Sequence, residues 1–165
     1  MTTRAALTVL AVALALPGGA FAAAISISAT PTTATASAVT LNGDDQSATF
    51  TETLAIGGVT QSLGYNVTAW APVPAVGALT LSALKAGAPT LSCTQGSCTT
   101  GTNSVIGYPL VLGTTSGAAV KIFNATAGSA NKNQQAIVTF SIPVTADRLP
   151  GTYTTTLTLT VADGP

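Results

Sequence analysis

Ala136-Ile-Val-Thr-Phe-Ser-Ile-Pro-Val144 and Thr152-Tyr-Thr-Thr-Thr-Leu-Thr-Leu-Thr-Val161, joined by Thr145-Ala-Asp-Arg-Leu-Pro-Gly151, decide the fold class of this chain. Ala136, Val138, Phe140, Ile142 and Val144 recur at every second residue of the first run, as Tyr153, Leu157, Leu159 and Val161 share one phase of the second. A period of two belongs to a strand with one face buried. The opposite phase of the second run is Thr154, Thr156, Thr158 and Thr160, whose β-branched polar side chains suit a wet pleated face. With Pro150-Gly151 as its turn, the pair reads as a hairpin whose apolar side needs a cover. The cover is a second sheet, and the expected fold is a sandwich.

Upstream, the same alternation returns in short pieces. Ala24-Ile-Ser-Ile-Ser28 reads as a first strand, and Pro31 to Ala38 as a mobile lead-in or an edge strand. Asn42-Gly43 is a turn signal before the run Ala48 to Ile56, in which Phe50, Leu54 and Ile56 share a phase with one charge, Glu52. That placement predicts an edge or paired structural carboxylate. Leu63 to Trp70, Leu79 to Ala83, Pro89 to Cys93, Val105 to Leu112 and Ala119 to Phe123 complete the series, with no amphipathic helical period among them. The expectation is an all-β, immunoglobulin-like antiparallel sandwich of about eight or nine strands.

Residues 1 to 22 have the form of a secretory signal peptide. Arg4 supplies a positive start, Ala5 to Leu16 an apolar run too short to span a bilayer, and Ala20-Phe-Ala22 small residues for cleavage. The remaining residues, 23 to 165, are predicted to form a single domain. They carry Lys85, Lys121, Lys132 and Arg148 against Asp44, Asp45, Glu52, Asp147 and Asp163. Such sparse charge offers no basic stripe to a phosphate backbone, which argues against a nucleic-acid partner. A secreted, extracellular protein is expected, with no membrane insertion once the leader is gone.

Cys93-Thr-Gln-Gly-Ser-Cys98 holds the only two cysteines, and in an exported chain the pair predicts a disulfide. The chain has no histidine, which removes the base of the usual triads and the imidazole ligands of a zinc site. No catalytic set, cofactor or metal is predicted. Asn66-Val-Thr68 and Asn124-Ala-Thr126 fit the N-glycosylation pattern. Among the aromatics, Trp70, Tyr65 and Tyr108 are the candidates for ligand contact, Trp70 ahead of the others because it falls on the opposite phase from Val67.

Leu63-Gly-Tyr-Asn-Val-Thr68, Gly77-Ala-Leu-Thr-Leu81, Ile137-Val-Thr-Phe-Ser-Ile-Pro-Val144 and the ending Pro150-Gly-Thr-Tyr to Pro165 follow one another in an order that resembles the WxL-type domains of bacterial cell-surface proteins. Tyr65 and Leu159 stand where that family places its two tryptophans. The resemblance implies a secreted β-sandwich held non-covalently on the cell envelope, through peptidoglycan or a partner surface protein. An alternative is a structural subunit of an extracellular fibre or matrix, in which the arm from Ala23 to Ala38 adds a strand to a neighbour's sheet.

Overall fold

The computed structural model describes residues 4–10, 26–40, 44–57, 64–93, 102–125 and 133–164. Strand dominates these residues, and their one helical element is a 3-10 turn at Ser116–Ala118. The longest ladder pairs β5 (Gln46–Gly57) with β13 (Asn133–Val144) in continuous antiparallel register. Both strands alternate strictly, and Phe50 stands opposite Phe140 with the rings stacked at 5.2 Å. Outside this pair lie β2 (Ser26–Thr30) on β5, and β9 (Lys85–Ala86), β10 (Thr90–Cys93) and β11 (Leu110–Val111) on the β13 side.

A second ladder set places β6 (Tyr65–Trp70) between β12 (Val120–Ala125) and β15 (Thr158–Asp163). A third runs in the order β3 (Thr33–Thr35), β1 (Arg4–Leu10), β14 (Thr152–Thr155), β7 (Ala75–Val76), β8 (Leu79–Thr80), with β4 (Val39–Thr40) also on β1. The sheets pack together as a β-sandwich around one apolar interior. Leu54, Ile56, Tyr65, Ile122, Phe123, Phe140, Leu84 and Leu159 are among its fully buried members.

The strand segments outnumber the eight or nine expected because several runs break into pairs of residues. Only Leu110–Val111 of the run Val105 to Leu112 is strand. Gly107 adopts a left-handed φ of 84° and Pro109 has no N–H to donate, so residues 102–109 leave the ladder.

The C-terminal hairpin is corrected. β13 pairs with β5, β9 and β10, whereas β14 pairs with β1 and β7 and β15 with β6. Residues 145–151 form an arch from one sheet to another. The Tyr153 hydroxyl closes the arch by donating to the Leu149 carbonyl at 2.8 Å, and the Ala146 N–H donates to Asp45 at 3.0 Å. A tyrosine bonding a few residues back along the chain is a device that sandwiches use where a strand changes sheets. The final ribbon changes sheets again at residues 156–157, which is why its Thr-faced alternation looks continuous while its partners differ.

Glu52 faces Val138 of β13, and on the other side of β5 the β2 ladder ends at Thr53, one residue away. It is 3 % exposed all the same, and its Oε2 has no hydrogen-bond partner among the described residues. Burial pushes its carboxyl up to about 7.

Candidate functional site

The feature that sets this sandwich apart is the position of β1. Arg4–Leu10 belongs to the expected leader, yet it lies inside a sheet. On one side it runs parallel to β14, with Ala6 opposite Thr152, Leu7 opposite Tyr153, Thr8 opposite Thr154 and Val9 opposite Thr155. On the other it is antiparallel to β3, with Thr8 opposite Thr35, Val9 opposite Ala34 and Leu10 opposite Thr33, and to β4, with Ala5 opposite Val39.

Within the described ladders, β3 and β4 have no partner except β1. β14 meets β7 at a single pair, Thr154 with Ala75, against four pairs with β1. Strands in a sheet lie about 4.8 Å apart, so a slot roughly 10 Å wide separates β3 and β4 from β14, and β1 fills it. Each wall of this slot presents a row of backbone N–H and C=O groups that need a strand to pair with.

The walls also have two chemically distinct levels. Val39, Tyr153, Ala34 and Thr155 are buried, and they stand opposite Ala5, Leu7 and Val9. Thr35, Thr152 and Thr154 are exposed, and they stand opposite Thr8 and Ala6. The slot therefore asks for a strand with apolar residues at every second position and small polar ones between. Arg-Ala-Ala-Leu-Thr-Val-Leu meets that demand at Ala5, Leu7, Val9 and Thr8. The signal for this was present in the sequence as an alternation inside the leader, but a leader is ordinarily set aside before strands are paired.

The aromatic candidates do not form one surface. Tyr65 is fully buried at the start of β6, its hydroxyl donates to Gln134 Oε1 at 2.8 Å, and its ring meets Phe123 edge-on at 6.2 Å. Burial pushes the Tyr65 phenol up to about 12. Leu159 is buried as well. Tyr108 is half-buried, and its hydroxyl donates to the Ile122 carbonyl and accepts from Asn103 Nδ2, which pins residues 102–109 to β12. Trp70 is half-buried at the end of β6, where the next N–H, of Ala71, donates to the Gly113 carbonyl at 3.0 Å.

The asparagines of both glycosylation triplets are tied into the fold. Asn124 is buried, its Oδ1 accepting from the Ser104 N–H at 2.8 Å and its Nδ2 donating to Ser104 Oγ at 2.9 Å. Asn66 Nδ2 donates to the Gly164 carbonyl at 2.8 Å. Cys93 ends β10, while Cys98, and with it the expected disulfide, lies outside the described residues. Among the described residues no group of three metal-ligating side chains comes together, and no helix is long and apolar enough to cross a membrane. No family model matches the chain, and no curated protein does.

Proposed function

We propose that the chain is an exported structural subunit that assembles by strand addition, the slot between β3 and β14 being its receiving site. One observation carries this reading: a strand from the segment expected to be cleaved is what completes the sheet. Removal of residues 1 to 22 takes β1 away and leaves both walls with unpaired backbone. A sheet in that condition is a template for another chain. Parallel pairing to β14 fits the same view, because neighbouring strands joined by short turns pair antiparallel, and a parallel neighbour comes from elsewhere in the chain or from another chain.

The leader then has two roles. It directs export, and until it is cut it keeps the slot occupied so that the precursor does not polymerise. Binding of an envelope polymer, the WxL-like alternative, needs an exposed recognition surface; of the three candidate aromatics, Tyr65 is fully buried and the other two are half-buried.

The test uses the full chain with a specific protease site inserted after Ala22. Before cleavage the protein is expected to be monomeric by light scattering. After cleavage it forms multimers, and an excess of the leader peptide suppresses them. A cleaved protein that stays monomeric and is retained on purified cell walls contradicts assembly and favours the polymer-binding alternative.

A further inference from the structure

We propose that the strand which replaces β1 is β2 of a second copy of the same chain, lying parallel to β14 with Ser26-Ile27-Ser28-Ala29 at the register positions of Ala6-Leu7-Thr8-Val9. This rests on the assembly reading above and adds the identity of the donor. Three observations lead to it.

The first is the pattern. The slot requires an apolar residue opposite Tyr153, a small polar one opposite Thr154 and Thr35, and an apolar one opposite Thr155 and Ala34. Leu7, Thr8 and Val9 meet those positions, and Ile27, Ser28 and Ala29 repeat them in order. β2 already sorts its side chains this way, with Ile27 and Ala29 buried and Ser28 and Thr30 exposed.

The second is position. Among the described residues β2 is the outermost strand of its sheet, paired with β5 on one side only. Cleavage after Ala22 places it next to a new chain end, so it leaves β5 without threading past any other segment. An element of this kind exchanges between copies at low cost.

The third is the balance of contacts. On leaving β5 the strand gives up one ladder and the burial of Ile27 and Ala29. In the neighbour's slot it gains two ladders, one to β14 and one to β3, and the two apolar residues return to buried positions. The exchange adds backbone hydrogen bonds without new exposed apolar side chains on the donated strand.

Paired cysteines test the donor. Ser28→Cys is placed in one population of the full chain and Thr154→Cys in another, each with the protease site after Ala22 and with Cys93→Ser and Cys98→Ser. Within one chain Ser28 and Thr154 are both exposed and belong to different sheets, so no bridge joins them intramolecularly. In the neighbour's slot Ser28 lies beside Thr154, and beside Thr35 on the other wall. The expected result is a covalent heterodimer on oxidation, formed only after cleavage, and also formed when Thr35→Cys replaces Thr154→Cys. Multimers that form without either cross-link overturn the donor assignment and leave assembly at the slot intact. A cleaved protein that neither multimerises nor cross-links overturns both.

Discussion

Leu7 and Tyr153 stand opposite one another across the parallel ladder between β1 and β14, which joins a residue of the expected leader to the last third of the chain. Tyr153 is buried, and its hydroxyl holds the arch that brings the chain across from β13. One wall of the slot and the arch thus share one side chain. A wall set rigidly in this way is ready for a strand before one arrives, which lowers the ordering cost of adding it.

Leu7→Pro removes a ladder N–H in the middle of β1 and is incompatible with pairing on both sides. In the full chain this substitution is expected to cost about 3 kcal/mol, the order of the cost of proline in a helix interior, because a ladder bond is lost and the ring clashes with the paired backbone. After cleavage behind Ala22 the substituted and unsubstituted proteins become identical in sequence. Chemical denaturation before and after cleavage measures both.

Glu52 makes stability depend on pH. Its folded value of about 7 lies above the ordinary 4.5, so the folded state holds the proton more tightly than the unfolded one. Stability is therefore highest below pH 4.5 as far as this group is concerned, and it falls as pH rises through the window to about 7. The whole effect is at most about 3 kcal/mol. Glu52→Gln is expected to flatten the profile between pH 5 and pH 8 and to raise stability at the upper end, read by denaturant unfolding at several pH values.

Tyr65→Phe removes the donor to Gln134 Oε1, and Gln134 Nε2 already has no partner among the described residues. The single substitution is expected to cost about 1–2 kcal/mol, because a buried amide is left wholly unsatisfied. Gln134→Leu added to it is expected to recover most of that loss, since both polar partners are then gone. A double-mutant cycle by thermal unfolding isolates the coupling.

Gly113→Ala tests the crossing beside Trp70. A Cβ there would lie 1.8 Å from the Ala118 carbonyl oxygen, so the 3-10 turn or the bond from Ala71 has to give way. The expected cost is about 2 kcal/mol, in the range of other overpacked sites. Gly117→Ala, where a Cβ meets nothing within 4 Å, serves as the control and is expected to be near neutral.

The alternation in Phe50, Leu54 and Ile56, and in Val138, Phe140 and Ile142, was legible because each strand keeps one face on the interior for its whole length. Partner choice was not. Pro150-Gly151 has the composition of a hairpin turn, but an arch between sheets needs the same residue types, and the difference lies in the distant partners β5 and β1. Glu52 reads as an edge or paired carboxylate because a buried unpaired one is costly; it lies just past the end of the β2 ladder yet is buried, and burial raises its proton affinity. The slot was hidden for a different reason. Its filling strand lies in a segment that reads as an export leader, and the period of two in Ala5, Leu7 and Val9 carries no weight until β3 and β14 are known to lie on either side of it.

The most direct test is amide hydrogen exchange at Thr152–Thr155 and Thr33–Thr35 in the full chain, in the same protein cleaved after Ala22 and held dilute, and in the cleaved protein after concentration. Protection is expected in the first, lost in the second and restored in the third, while the ladder between β5 and β13 stays protected throughout. Unchanged protection of Thr152–Thr155 in the dilute cleaved monomer would mean that the sheet closes without an added strand, and the account of the slot would be wrong.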